Sequence, residues 1–288
     1  MPIFTAVPIH SLRELRRWAA RRDPLDPSAL WAFRGQSSDR ELSTTFERVC
    51  SEHRVSPSRR PELERVLIRE FARKAHLHLP ASELPNPRDT LEWLSLMRHY
   101  GAPTRLMDWT HSLMVAVHFA LTADTRDGQR FRYVFAISTA WVNQRANELV
   151  DELDKAGERD RDKGGKHFRR FFMGDAPRPF VSTANPYRVN ERLALQKGVF
   201  LCPADVRRSF NENLAALGGG SGRAFRLDLA RRCWPELRDE LFRLNIDEEV
   251  LFPGIEGLAR SVRTRAPQFG RLVPVRRADL QRLGRAPR

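Results

Sequence analysis

Between His99 and Thr110 the chain reads HYGAPTRLMDWT, and these residue types suit contact with a ligand. His99 supplies a ring nitrogen that titrates near neutrality. Tyr100, Thr104 and Thr110 supply hydroxyls, Arg105 a guanidinium fork, Asp108 a carboxylate and Trp109 an aromatic face. A spacer between two helices does not need so many hydrogen-bonding groups, so the stretch is expected to form one wall of a site. A second run, Phe33-Arg34-Gly35-Gln36, lies in the strand-like segment LWAFRGQ (30–36). Alternation across a strand sends Trp31 and Phe33 to one side and Arg34 to the other. Gly35 ends the strand and lets another backbone or a ligand come close.

Each of these residues also has a structural reading. Arg34 could close a salt bridge at a strand end. Asp108 could cap the following helix or pair with Arg105 or Arg34. Trp109 fits a core, Thr110 an N-cap, and His99 either core or site. The candidate carboxylates for chemistry are Glu191 and, in competition, Glu249 of the Glu248-Glu249 pair, which equally suits a solvated helix approach. A metal-dependent nuclease would need ligands such as His99, Asp108, His111 and His118, but their spacing matches no metal pattern of the HExxH kind. His76 and His78, two apart on a helix, point to different faces. No metal is therefore expected, and the absence of a GxSxG elbow argues against a serine hydrolase.

The elements that hold these residues are legible from periodicity. IHSLRELRRWAAR (9–21) predicts an amphipathic helix with a capping box of Ser11 and Glu14. Pro61–His78 predicts a second helix, stopped by Pro80. Asn86-Pro87 predicts the start of a third, running to Tyr100 with Gly101 as its left-handed stop. After the polar loop, a helix of about 111–123 follows. FRYVFAIS (131–138), a strand around Gly198–Leu201, and RAFRLDL (223–229) alternate as strands. Residues 142–173 predict a charged helical insertion broken at KGGK, and a helix begins at Pro235. Strands and helices without regular alternation predict an α+β fold with a mixed, mostly antiparallel central sheet flanked by helices.

The bulk composition sets outer bounds. The chain of 288 residues carries a net charge of +14, and only five of its 50 basic residues are lysines. Residues 263–288 form a basic C-terminal extension, expected either to contact a polyanion or to remain solvated. No apolar run long enough for a membrane span is present, and no secretory signal is visible, so a cytoplasmic protein is expected. Cys50, Cys202 and Cys233 form no CxxC pair, which argues against structural zinc and a disulfide framework.

Taken in order, the motifs resemble the FRG domain family, named for its Phe-Arg-Gly signature, here Phe33-Arg34-Gly35. The second signature is HYGAPTRLMDWT followed by Ala116–Ala120 (AVHFA). The family usually carries Leu-Leu-Asp where this chain has Leu106-Met107-Asp108, and Gln where Arg98 stands. RLALQKGVF (192–200) and LFPGIEGLA (251–259) fit as well, so the resemblance spans about 9–262, with 1–262 as the domain. More distantly, the order of elements resembles the ADP-ribosyltransferase fold. That resemblance implies NAD as substrate, with ADP-ribose passed to a protein or nucleic-acid acceptor, in a toxin or defence effector. It implies Arg34, Thr110 and Glu191 as catalytic residues. The implied NAD contacts are Arg34, Gly35, Gln36, His99, Tyr100, Gly101, Thr104, Arg105, Asp108 and Gln196. The alternative is an FRG module that binds nucleotide or nucleic acid without catalysis, and a nuclease is a minor alternative.

Overall fold

The structure is a computed structural model, and it describes residues 3–21, 30–122, 129–154, 166–174 and 178–262. Its strands are β1 (Thr5–Ile9), β2 (Trp31–Gln36), β3 (Met107–Thr110), β4 (Phe131–Ser138), β5 (Val181–Ala184), β6 (Gly198–Pro203) and β7 (Ala224–Ala230). They form one sheet in the order β1-β7-β4-β2-β3-β6-β5. Every pairing is antiparallel except β1 with β7. The helices are α1 (Leu12–Ala20), α2 (Thr45–Glu52), α3 (Arg60–Ala75), α4 (Thr90–His99), α5 (Leu113–Thr122), α6 (Thr139–Asp154), α7 (Lys166–Phe172), α8 (Glu191–Leu195), α9 (Phe210–Ala215), α10 (Trp234–Arg243) and α11 (Glu248–Leu251). Residues 255–262 are also helical. This is the mixed α+β architecture expected from the pattern.

Alternation along β4 divides the core in two. Phe135 and Ile137 join a cluster with Ala32, Leu94 of α4, Trp141 and Val142 of α6 and Phe171 of α7. Val134 and Ala136 join the other, with Phe33, Leu15 and Trp18 of α1, Ala116 and Ala120 of α5 and Leu237 of α10. Strand pleating explains this, since neighbouring side chains leave opposite faces of the sheet. Helices thus cover both faces, and each buried Leu or Phe is worth roughly 1.5–3 kcal/mol of hydrophobic stabilisation.

Several elements differ from expectation. Asn86-Pro87 does not start α4. Asp89 caps it, accepting from the Glu92 N–H, while Asn86 closes a turn just before. In α1, Ser11 caps as expected, but Glu14 returns its bond to the His10 N–H rather than closing the box on Ser11. Thr44 and Glu47 form the reciprocal box instead, at α2. The polar loop is shorter than expected, because Met107–Thr110 is strand β3, at the middle of the sheet. The charged stretch 142–173 also contributes to the core, through Val142 and Ala146 of α6 and Phe168, Phe171 and Phe172 of α7. Residues 163–165 of its KGGK break and the extension 263–288 lie outside the described residues.

Two packing constraints fix the middle of the sheet. A Cβ on Gly35 would lie 2.0 Å from the Ala116 carbonyl oxygen and 2.5 Å from the Ala120 nitrogen. Gly35 therefore lets α5 lie directly on β2, and the close approach it allows is to another backbone. The second constraint is Arg105, buried with Glu64 of α3. Its Nε donates to Glu64 Oε1 at 2.8 Å, and its Nη2 to Glu64 Oε2. Nη1 donates to the carbonyls of Phe172 at 2.7 Å and Ala204 at 2.9 Å. One guanidinium thus ties α3, the approach to β3, the end of α7 and the exit of β6.

Gly35→Ala is expected to destabilise the fold by about 1–3 kcal/mol or more, since helix backbone rather than a pliable side chain stands in the way. A denaturant midpoint equal to wild type would overturn that packing argument. Glu64→Leu alone should cost about 3–5 kcal/mol by stranding a buried guanidinium. The double variant Glu64→Leu/Arg105→Met should cost clearly less than the two single losses added, as read from a double-mutant cycle on urea melts.

Candidate functional site

β2 and β3 run side by side, with Phe33 opposite Thr110. Arg34 follows Phe33 on the other side of the pleat, and its Nη1 donates to the Asp108 carbonyl at 2.5 Å. Its Nε is enclosed with no hydrogen-bond partner. The Asp108 carboxylate receives a second arginine, Arg98 from the last turn of α4. Arg98 Nε lies 3.1 Å from Oδ1 and 2.9 Å from Oδ2, and its Nη2 also donates to Oδ2. The bidentate fork that planar guanidinium and carboxylate favour is therefore formed between helix and strand. Arg48 of α2 and Arg192 of α8 complete the cluster electrostatically.

Four guanidiniums thus act on one carboxylate. Burial pushes the Arg34 pKa down to about 10; Asp108 opposes this, and Arg98 and Arg48 add to it. Arg48 is lowered by burial and then by Arg98. Arg192 is lowered by burial, with Asp108 opposing and Arg98 and Arg260 adding. Only Arg98 is held above its ordinary value, since its bond to Asp108 outweighs burial. Burial alone would raise the Asp108 pKa, but Arg98, Arg34 and Arg192 together hold it below the usual carboxylate range. All four guanidiniums remain charged at neutral pH and repel one another, and an anion among them would relieve that repulsion.

Residues from the far end of the chain close over this cluster. The Arg192 guanidinium stacks on Phe252 at 4.6 Å and the Arg260 guanidinium lies over the same ring at 4.7 Å. Gln196 Nε2 donates to the Leu251 carbonyl at 3.0 Å. Buried His118 places Nε2 3.4 Å from a Glu248 carboxylate oxygen. Three independent ties therefore hold the 248–260 segment against α5 and α8.

The other expected site residues fall in different places. Gln36 closes the turn after β2, donating to the Ser38 and Arg40 carbonyls. His99 is the last residue of α4, half-buried, with its Nδ1 enclosed and unpartnered. Its pKa is lowered by burial and then by Arg192. Tyr100 is exposed and meets the His99 ring edge-on at 4.8 Å. Gly101 adopts φ +81°, the left-handed stop expected. Thr104 is fully buried and its carbonyl accepts from Phe46 N–H and Thr45 Oγ1. Arg105 sits in the Glu64 network, away from the arginine cluster. Thr110 is buried, donates to the Gln196 carbonyl at 2.6 Å and accepts from the Ser112 N–H. Glu191 is exposed in the first turn of α8, beside Arg192 and on a helix rather than a strand. Glu249 is exposed as well, whereas its neighbour Glu248 points inward to His118.

The sequence reading did not put Arg48, Arg98, Arg192 and Glu248 in the site. Arg98 carried a signal, as it departs from the residue usual at that motif position, but nothing in spacing pairs it with Asp108. Among the described residues no group of three His, Cys, Asp or Glu comes together to hold a metal. The metal-dependent nuclease reading thus has no centre among them. All three cysteines are free and buried. No helix among the described residues is long and apolar enough to cross a membrane.

Comparison with known families agrees with the motifs. The chain carries an FRG domain: that family's model matches residues 29–129. The match takes in β2 to α5, and with them Arg34, Arg48, Arg98 and Asp108. Arg192, Gln196 and Glu248 lie beyond it, as do β1, β4, β5, β6 and β7, which complete the same sheet. No curated protein and no solved structure matches the chain.

Asp108 yields a pH prediction. Its folded pKa lies below its unfolded one, so its stabilising contribution is present above the unfolded carboxylate value of about 3.9 and is lost as pH falls through the folded value. The side chain is 38% exposed, so solvent screens part of the effect. Asp108→Asn should therefore lower the urea midpoint at pH 7, with the gap to wild type narrowing as pH drops below about 4. A gap that stays constant across that range would refute the coupling.

Proposed function

We propose that the arginine cluster binds the phosphates of a nucleotide, with NAD as substrate, and that the protein transfers ADP-ribose to a protein or nucleic-acid acceptor. The observation that carries this reading is the imbalance around Arg34. Several guanidiniums surround one carboxylate, and the Nε of Arg34 is enclosed without a partner. An enclosed donor beside repelling cations favours a multiply charged, oxygen-rich ligand, and a pyrophosphate answers both demands.

In such a transfer the bond between nicotinamide and C1′ of its ribose breaks, and nicotinamide leaves with the bonding electrons. The acceptor nucleophile then bonds to C1′ and gives up its proton. Arg34 would grip phosphate, with Arg48, Arg98 and Arg192 supplying positive potential. His99, with its enclosed Nδ1 and lowered pKa, would serve as a neutral hydrogen-bond partner for a ribose or the nicotinamide amide. Thr110 would orient rather than touch, since its hydroxyl is already engaged by Gln196. Glu191, exposed beside Arg192, would be the carboxylate that meets the developing positive charge of the sugar. A toxin or defence role belongs to the same proposal and rests on the family resemblance alone.

One specific observation favours a second reading, nucleotide binding without transfer. The two carboxylates that act on Arg192 are already engaged, Asp108 by Arg98 and Glu248 beside His118. Neither is free to act on a sugar.

Incubation of the full chain with NAD labelled in its adenylate part, with candidate protein and RNA acceptors, tests the proposal. Label transfer and nicotinamide release are expected for wild type, with a loss of at least about 100-fold in Arg34→Ala, in line with removal of a charged phosphate contact. Glu191→Gln should keep NAD affinity and lose turnover. Saturable NAD binding with no nicotinamide released would select the binding-only reading. Absence of NAD, ATP and pyrophosphate binding by calorimetry would sink both.

A further inference from the structure

A second basic feature lies outside the Arg34 cluster. Between α3 and the start of α4, with α7 at one side, runs an open groove of about 650 Å³. Its lining includes Arg65, Arg69, Arg73 and Arg169, over a floor that contains Ile68 and Trp93, and among the described residues that line it there is no carboxylate. We propose that this groove binds the phosphate backbone of a nucleic-acid strand.

The spacing carries the argument. Arg65, Arg69 and Arg73 are four residues apart on α3, a step of about 6 Å along the axis and slightly more than one full turn. The three guanidiniums therefore form a row on one face, lying side by side rather than clustered. Arg169 reaches the same groove from α7, held by a bond from its Nε to the Thr90 hydroxyl at 3.1 Å. Arg65 is braced by its Nη2 on the Met173 carbonyl at 3.0 Å, and its Nη1 lies 3.6 Å from the exposed Glu62 carboxylate. Arg73 pairs with Glu70 at 3.2 Å but is 69% exposed, so that bond is screened and readily exchanged. Arg69 is exposed and has no ion pair among the described residues. A row of guanidiniums whose acidic neighbours, Glu62 and Glu70, are solvent-screened partners on the same helix suits a regular chain of phosphates, which each fork can contact in turn.

An acidic protein surface would also be attracted. The nucleic acid is favoured by the regular linear repeat and by the exclusive use of arginine, whose planar fork matches a phosphate better than a lysine does. Trp93 is buried and its Nε1 donates to the Asn86 carbonyl, so it forms floor rather than a stacking platform for bases. The recognition expected is of backbone and not of sequence. Thr90 and Arg98 lie at opposite ends of α4, about 12 Å apart along its axis, which separates the groove from the Arg34 cluster. The inference therefore stands or falls independently of NAD.

The test uses the full chain and fluorescence anisotropy with a labelled single-stranded RNA 20-mer, a DNA 20-mer of the same sequence, and polyglutamate of equal charge. Wild type should bind both oligonucleotides with a steep dependence on salt and without sequence preference. Arg69→Ala/Arg73→Ala removes two exposed contacts on a helix surface, and the slope of log affinity against log salt should fall by about 1.4. Arg69→Glu should weaken binding further than Arg69→Ala. Circular dichroism melts should match wild type for all three variants. Saturating NAD should leave the oligonucleotide bound. The proposal is overturned if wild type binds neither oligonucleotide or if the double variant and Arg69→Glu keep both affinity and slope. Polyglutamate binding as tightly as RNA, or displacement of the oligonucleotide by NAD, would equally overturn it.

Discussion

A buried ion pair sets the geometry on which the rest depends. Arg105 and Glu64 are almost wholly removed from water, with side chains 2% and 1% exposed. Taking two charges out of water is expensive, and the attraction between them does no more than offset that cost when every donor is satisfied. Here the guanidinium is satisfied by one carboxylate and by the carbonyls of Phe172, Pro203 and Ala204. What the pair supplies is position. Arg105 lies two residues before β3, so fixing it fixes where β3 enters the sheet, and β3 carries the carbonyl and carboxylate that Arg34 and Arg98 use.

The contrast between Arg105 and Arg34 shows how one residue type serves two ends. Both are arginines in signature motifs, and both are drawn into the protein. Arg105 meets a carboxylate of opposite charge and three backbone acceptors. Arg34 meets a single carbonyl and an electrostatic environment in which other arginines outnumber Asp108. Burial without compensation lowers the Arg34 pKa, whereas compensation raises that of Arg105 despite its burial. Unsatisfied charge is a property that a ligand can complete, and saturated charge is not. The same criterion separates His99, with an enclosed free nitrogen, from Thr110, whose hydroxyl is spent on Gln196.

Much of the sheet was legible because it rests on local signals. FRYVFAIS alternates and forms β4 as expected, but helices cover both of its faces, so Val134 and Ala136 are buried as well as Phe135 and Ile137. Gly101 stops α4 with the positive φ that its type permits. Elements that depend on distant partners were not legible. TAVPI has no strong strand pattern and becomes β1 because it pairs with β7, more than 200 residues on. MDWT is too short to announce a strand and becomes one because β2 and β6 flank it. The site divides in the same way. Arg34 and Asp108 were visible within motifs, but their electrostatic partners were not. Arg98, Arg48 and Arg192 come from three different helices, and one-dimensional spacing holds no record of which helix end meets which strand. The role expected of Arg105 failed to show itself for the related reason that its partner Glu64 sits in a helix with no distinguishing motif.

The cluster is a composite of two parts of the chain, and this bears on what the matched stretch can do by itself. Residues 29–129 hold Arg34, Arg48, Arg98 and Asp108. They do not hold β6, which pairs along the whole of β3, nor Arg192, which adds to the positive potential on Asp108. Gly198 has a packing role here, since a Cβ on it would lie 2.2 Å from Leu193 Cδ1 and push α8 away from the sheet. The 248–260 segment then fastens α8 from outside through the Phe252 ring and the Leu251 carbonyl. Fastening Arg192 onto Phe252 holds a cation near Arg98 and Arg260 against their mutual repulsion, which Asp108 and Glu248 partly offset. An anion from outside would relieve that repulsion. The segments beyond the match thus add to the potential at the site as well as covering it.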